Sequence, residues 1–353
     1  MENRYQRILI VRTDRIGDVI LTLPMAQVLK KQFPQAHIAM LIQRYTAELV
    51  EDNRSVDQII FYDDGERPIP LFHLVGSLRS HRFDIVFHTQ PRFRLALMTW
   101  FARISVRVGT GYRWYSLLFN RRVYEHRKDA QYHELEYNLH LLATIGCSAE
   151  GEDVTPTLQV RADVLDKMCK MLFSLGIKTN YRIVILHPGS GRSARDWSSE
   201  NFGLLGKQLS KIPEVKIIVT GRSTERSLIG EVKAVIGDSA IVLPRELSLR
   251  EFGALSKMAS LFIANSTGPI HIAAAVGTPV IGLYPQITPQ SAKRWGPYTE
   301  KKAIFTPLDK PADCKKCVDA TANACECMAS IRVDEVYEAA VKYLAQKSPV
   351  MIS

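Results

Sequence analysis

The chain reads as an α/β protein made of two doubly wound parallel sheets, one after the other. Short continuous apolar runs, of the kind left by strands covered on both faces, alternate with helical patterns in the first half of the chain and again in the second. At 353 residues there is length for two ordinary domains, each burying its own core. Between the halves, residues 147–160 lose periodicity and contain Gly151 and Pro156, as a linker does. These observations place a first lobe at residues 1–155, a second at 156–330, and a C-terminal segment at 331–353.

In the first half, RILIVR (residues 7–12) is a compact apolar strand, and TDRIGDVILTLPMAQVLKKQF follows as turn and amphipathic helix. Gly17 lets the backbone turn at the strand's carboxyl end, and Asp18 then sits near the helix start, where a negative charge is favoured. HIAMLI, DQIIFY and FDIVFH are further strands, with helices from about Tyr45 and near 70–80 between them. Positions 92–122 read as a basic, irregular insertion, and HELEYNLHLLATIG as a helix ending at Gly146. In the second half a helix spans about 162 to 175, and RIVILHP restarts the strand pattern ahead of the loop and helix GSGRSARDWSSENFGLLGKQLSK. VKIIVTG, a helix from Thr224, AIVLP and a helix near 248–258 continue it, and VDEVYEAAVKYLAQK is an amphipathic terminal helix.

The most informative stretch runs from Leu261 to Tyr284. LFIA is a buried strand, Asn265, Ser266 and Thr267 are cap-type residues, and Gly268-Pro269 can open a helix at its first turn. Alanines 273–275 let that helix lie close to the sheet, Gly277 suits its C-terminal cap, and VIGLY is the next strand. Unpaired amides at such a helix N-terminus face the carboxyl end of a sheet, where α/β proteins hold phosphate groups. His271, in the first turn, can add a hydrogen bond to a bound anion.

Composition narrows the partners. Hydrophobic content of 46 % and charged content of 23 % belong to a globular protein, and no run approaches the ~18 apolar residues of a membrane span. The polar start MENRYQR predicts no leader, so a cytoplasmic location is expected. The net charge of +10, from 46 Lys+Arg against 36 Asp+Glu, draws the protein to anionic partners. Many of these residues crowd 92–128 among aromatic and aliphatic side chains. A nucleic-acid partner is not expected, since no nucleic-acid motif accompanies them, and a phosphorylated lipid or the anionic inner leaflet suits the apolar component better. Of the six cysteines, Cys314, Cys317, Cys325 and Cys327 form C-x2-C-x7-C-x-C, a cluster that suggests a structural metal or free thiols more than disulfides.

GSGRSA after the strand RIVILHP formally matches G-x-G-x-x-A, which keeps an NADP-type oxidoreductase under consideration. The helix begins only around Ser198, however, and no acid ends the next strand, so a phosphate loop is the better reading.

NSTGPIHIAAAVGTPVIGLYPQ resembles the C-terminal signature of the ADP-heptose:lipopolysaccharide heptosyltransferases (glycosyltransferase family nine), with Ser266 where that family usually has Asp. The block from Arg12 to Pro24 is similar to the family's N-terminal signature, and the His-Pro-Gly turn followed by Trp197 stands in the expected order between them. The resemblance implies a GT-B fold, two Rossmann-like lobes facing across a cleft, with the C-terminal helix packing back across them. It implies an inverting transferase that needs no metal or cofactor, a nucleotide-sugar donor on the second lobe and an anionic glycolipid acceptor on the first. Asp18 would be the catalytic base, and Arg195 the cation that neutralises the donor diphosphate, where the family commonly has Lys. Glu225 would receive the ribose hydroxyls, Leu247 would lie against adenine, and Ser190, Thr267, Gly268 and His271 would meet phosphate. Asp14 is a second carboxylate with a weaker claim. The serine at 266 predicts a donor sugar with different hydroxyl demands, or else a compensating carboxylate nearby, and it also keeps open a non-catalytic protein of the same fold in the cell-envelope pathway.

Overall fold

A computed structural model describes residues 5–191, 194–308 and 326–346. The chain divides into two compact units, Met1–Pro156 and Thr157–Ser353. In the first, strands β1 (Arg7–Val11), β2 (His37–Ile42), β3 (Gln58–Phe61), β4 (Ile85–His88), β5 (Val106–Thr110) and β6 (Arg121–Val123) form one parallel sheet in the order β3-β2-β1-β4-β5-β6. Its helices are α1 (Ile16–Ile20), α2 (Leu23–Gln32), α3 (Leu71–His81), α4 (Phe93–Phe101) and α5 (Glu134–His140). The central strands are buried on both faces, which is why they read as unbroken apolar runs.

The second unit repeats the plan. Strands β7 (Arg182–His187), β8 (Val215–Val219), β9 (Ala240–Val242), β10 (Leu261–Asn265), β11 (Val280–Leu283) and β12 (Lys302–Phe305) lie parallel in the order β12-β11-β10-β7-β8-β9. Helices α6 (Ala162–Ser174), α7 (Ser199–Leu209), α8 (Arg226–Ile236), α9 (Leu249–Met258) and α10 (Gly268–Ala275) accompany it, followed by α11 (Ala292–Trp295), α12 (Glu326–Ala329) and α13 (Val333–Gln346). With β7 in the place of β1 and β10 in that of β4, each sheet reverses strand order at one point, and loops leaving the two flanking strands diverge there. Those two points carry most of the polar groups discussed below. The terminal helix α13 buries Val336, Ala340 and Leu344 in the second unit's core, the same core that holds Trp197 and the α7 side chains Phe202 and Leu205.

Three local features differ from the sequence expectation. Positions 92–122 are regular, supplying α4 and the two strands that complete the first sheet. They escaped notice because β5 and β6 are arginine-bearing and partly exposed, so neither shows a clean apolar run. The helix after β1 is two helices. Pro24, without an N–H to continue the ladder, stands at the start of α2 and leaves α1 a short turn of its own. The helix expected to run to Gly146 ends at His140 and continues as a tighter 3-10 turn, Leu141–Ile145, before Gly146 takes a left-handed φ of 79°.

Cys314, Cys317 and Cys325 lie outside the described residues. Cys147 and Cys169 are free thiols, and the described residues hold no group of three or more His, Cys, Asp or Glu able to take a metal ion. No helix among them is long and apolar enough to cross a membrane.

Candidate active site

At the switch point of the first sheet, the residue that follows β1 is Arg12, and it is only 2 % exposed. A buried guanidinium is tolerable where carboxylates surround it. Arg12 has three: Nε donates to Asp14 Oδ1 at 2.7 Å, Nη1 to Glu134 Oε1 at 3.2 Å, and Nη2 to Asp18 Oδ1. Nη1 also reaches the Thr89 carbonyl beyond β4, while the Thr89 hydroxyl donates to Val11 O and Thr13 to Gln90 Oε1, so the loops on both sides of the switch are tied together. Burial works against the charge on Arg12, but the three carboxylates outweigh it and hold the pKa above the ordinary arginine range. Burial pushes the Asp14 carboxyl up to about 7, the attraction of Arg12 offsetting part of the rise and Asp18 adding to it.

Asp18 lies in the first turn of α1. Its backbone carbonyl accepts from the Thr22 hydroxyl at 2.8 Å, and Asn138 of α5 donates to Thr22 Oγ1 and Leu21 O. The fully buried Asn138 thereby pins the junction of α1 and α2, which fixes the backbone that carries Asp18.

The switch point of the second sheet is organised by Asn265, the last residue of β10 and fully buried. Its Nδ2 donates to Pro188 O beyond β7 at 2.6 Å, and its Oδ1 accepts from the Trp197 amide at 2.8 Å. The Trp197 ring is anchored in turn, donating to Ile331 O at 3.0 Å and packing edge-on against Phe202. Segment 194–197 is thus stitched across the carboxyl ends of β7 and β10. Ser190, Arg195, Ser266 and Thr267 are buried on the loops at that end, and α10 starts beside them, with Thr267 as N-cap and with Pro269 and the buried His271 in its first turn. The Glu225 carboxylate accepts from the Gly191 amide at 3.3 Å and from the Arg222 amide at 2.9 Å. The backbone of Gly189 passes so close to that carboxylate that any side chain at 189 would collide with it. Leu247 is half-buried on the loop between β9 and α9, at the same end of the sheet. His187 is buried against Thr220 Oγ1, and desolvation holds its pKa down to about 4, so the ring is neutral at pH 7.

Sequence reasoning missed two groups. The Arg12–Glu134–Arg127 chain joins residues far apart in sequence, Arg127 Nη1 lying 2.6 Å from Glu134 Oε1, and Arg12 was noticed only as part of a signature. Asp196, between Arg195 and Trp197, carries no sequence signal of its own. Its Oδ1 is buried without a hydrogen-bond partner among the described residues, and burial pushes its carboxyl up to about 7, with Ser190 and Arg195 pulling down and Glu225 pushing up.

A titration near neutrality beside a helix N-terminus suited to an anion makes a prediction. Below pH 7 a protonated Asp196 can donate to an anion, and above it the carboxylate repels one. ADP binding to the wild type should therefore weaken as pH rises from 6 to 8, and the Asp196→Asn variant should bind with little pH dependence. Calorimetric titration at both pH values checks this, and parallel pH dependence in the two proteins would remove Asp196 from the donor site.

Two Rossmann-type units of the same strand order, one with a helix N-terminus among buried polar residues at its switch point and the other with a carboxylate held by a guanidinium there, are the architecture of the GT-B class. The chain belongs to glycosyltransferase family 9 (heptosyltransferase), whose family model matches residues 71–325. It is similar to lipopolysaccharide heptosyltransferase 3 of Escherichia coli (strain K12), 26 % identical over 82 % of this chain and 84 % of that protein. Among solved structures it is similar to a glycosyl transferase family 9 protein of Veillonella parvula, at TM-score 0.86 and 21 % identity over 98 % of this chain and 99 % of the other. It is also similar to E. coli heptosyltransferase WaaC solved with ADP, at TM-score 0.66 and 18 % identity over 96 % and 100 % of the two chains.

Proposed function

We propose that the protein moves a heptose-type sugar from an ADP-activated donor to a lipopolysaccharide-core or related glycolipid acceptor, with inversion at the anomeric carbon. The observation that supports this reading is the grouping of buried Arg195 with the first turn of α10 at the carboxyl ends of β7 and β10, the end of the sheet where such folds hold a diphosphate. Membership of a heptosyltransferase family and the ADP bound to WaaC support the choice of donor. Asp18 takes the proton from the acceptor hydroxyl as that oxygen attacks the anomeric carbon. Its Oδ1 is held by Arg12, which leaves Oδ2 for the incoming hydroxyl. Arg195, His271 and the amides at Thr267 and Gly268 stabilise the charge that grows on the leaving diphosphate, and the serine hydroxyl of Ser190 adds a donor. The Glu225 carboxylate, oriented by two backbone amides, receives the ribose hydroxyls, and Leu247 lies against adenine. An oxidoreductase reading loses support, because α7 opens at Ser199 and the glycines of GSGRSA do not stand at a helix N-terminus.

Arg195→Ala should weaken ADP binding by ~1.5–3 kcal/mol, the value of a charge-assisted contact to a buried phosphate, whereas Arg195→Lys keeps much of it. An Ala variant that titrates with ADP as tightly as wild type would put the arginine outside the site. The reading as a whole is tested by transfer from a panel of nucleotide sugars, ADP-heptose among them, by the wild type and by Ser266→Asp. A serine can accept a sugar hydroxyl weakly but supplies no charge, so the Asp variant is expected to shift preference toward ADP-heptose. Strong wild-type preference for ADP-heptose with no change in the variant would remove Ser266 from sugar reading. No transfer from any of the panel would sink the proposed activity.

A further inference from the structure

Residues 92–128 carry nine Lys and Arg and a single acid, Glu125, an excess of eight in a chain whose net charge is +10. That acid is occupied, lying 2.7 Å from His140 Nδ1. Arg92, Arg103, Arg113, Arg121 and Arg122 are exposed and form no ion pair among the described residues. The same segment exposes large apolar side chains. Trp114 is 74 % and Leu117 70 % exposed, three positions apart on the 3-10 turn Trp114–Leu118, where that spacing puts both on one face. The Trp114 ring lies 4.7 Å from that of Phe93, and Phe93 shares a face of α4 with Trp100 seven residues on, both of them exposed. Beneath them Tyr115, Leu118, Phe119 and Ala96 make a small core of their own, so the outer row is held up by packed residues. Beside the turn, Asn120, Arg121, Arg122, Tyr124 and Thr144 line a depression of about 450 Å³, large enough for a charged headgroup.

Such a face gains nothing from water. Tryptophan, tyrosine and leucine flanked by unpaired guanidinium groups is the composition that settles at the boundary between headgroups and acyl chains of an anionic bilayer. A second copy of the chain fits poorly, because docking two such faces would set unpaired arginines against one another. We propose that the surface formed by α4, the Trp114–Leu118 turn and β6 is a docking face for an anionic lipid bilayer, with Trp114 and Leu117 entering the interface and the arginines meeting headgroup phosphates. It holds the first unit at the surface from which a glycolipid acceptor would project, which deepens the function proposed above. The docking itself does not depend on turnover.

The test is co-flotation of the full chain with vesicles of phosphatidylcholine alone or of phosphatidylcholine with phosphatidylglycerol, read by the protein recovered with lipid. The wild type is expected to float with the anionic vesicles, weakly with the neutral ones, and less as salt rises. Trp114→Ser combined with Leu117→Ser should weaken capture roughly tenfold or more, and Arg113→Ser with Arg121→Ser by about fivefold per charge removed. All four side chains are exposed, so an unchanged unfolding temperature separates lost docking from lost fold. Equal capture by neutral and anionic vesicles, or undiminished capture of the Trp114/Leu117 variant, overturns the proposal. Binding to an oligonucleotide without binding to vesicles, or a dimer abolished by the same substitutions, overturns it as well by handing the face to another partner. Because flotation needs no donor, its failure leaves the transfer reaction standing, and failure of the nucleotide-sugar panel leaves the docking result intact.

Discussion

Asp18→Asn is expected to reduce transfer ~10²–10⁴-fold, the range for removing a general base, while ADP binding stays close to wild type. The amide keeps the shape of the side chain and can still place an oxygen near Arg12, but it cannot accept a proton from an attacking hydroxyl. Loss of the negative charge does not strand Arg12, which retains Asp14 at 2.7 Å and Glu134 at 3.2 Å, so the variant should fold and its unfolding temperature should move little. Initial rates with saturating donor, alongside calorimetric titration with ADP, separate the two effects. Undiminished turnover would move the base elsewhere. Asp14 would be examined next, since burial brings its carboxyl up to about 7 and thus close to the working pH of a general base.

The two sheets were legible because their central strands are buried on both faces and their helices alternate with them, whereas the strand order is set by long-range pairing. The edge was not legible. β6 pairs with β5 on one side only and shows arginines outward, so its pattern is that of a loop. The strand, turn and helix start from Asn265 through His271 on the second unit were readable from one short stretch, since they are consecutive, local features. What holds them in place was not. The hydrogen bond from Trp197 to Asn265 spans 68 positions, and Asp196, next to that tryptophan, acquires a near-neutral carboxyl chiefly from burial, which no residue spacing discloses. In the first unit the same limit applies to Arg12, whose acidic partners stand at positions 14, 18 and 134. The two near partners could be guessed from sequence, but the distant one arrives only when α5 packs against the α1–α2 junction.

Arg12→Met is expected to be the most destabilising single change at this site. The side chain is 3 % exposed and the carboxylates it joins no more than 17 %, so removing the cation strands buried negative charge, a change that typically costs ~3–5 kcal/mol. Glu134 is partly protected, because Arg127 remains 2.6 Å away, and the loss falls mainly on Asp14 and Asp18. The pH dependence distinguishes this cause from simple loss of packing. In the folded protein the Asp14 carboxyl holds its proton up to about 7, against an ordinary value of 3.8, so between those values the folded state binds more protons than the unfolded one and stability falls as pH rises. Arg12 lowers that folded value, and without it the carboxyl keeps its proton to still higher pH, which extends the window of falling stability upward. The deficit of the variant relative to wild type should therefore be largest near pH 8 and shrink toward pH 5, where Asp14 is neutral in both folded proteins. Urea unfolding of the two proteins across that range measures it. A deficit that stays constant with pH would mean that Arg12 contributes through packing and its hydrogen bond to Thr89, and that neutralising Asp14 and Asp18 is not its main structural role.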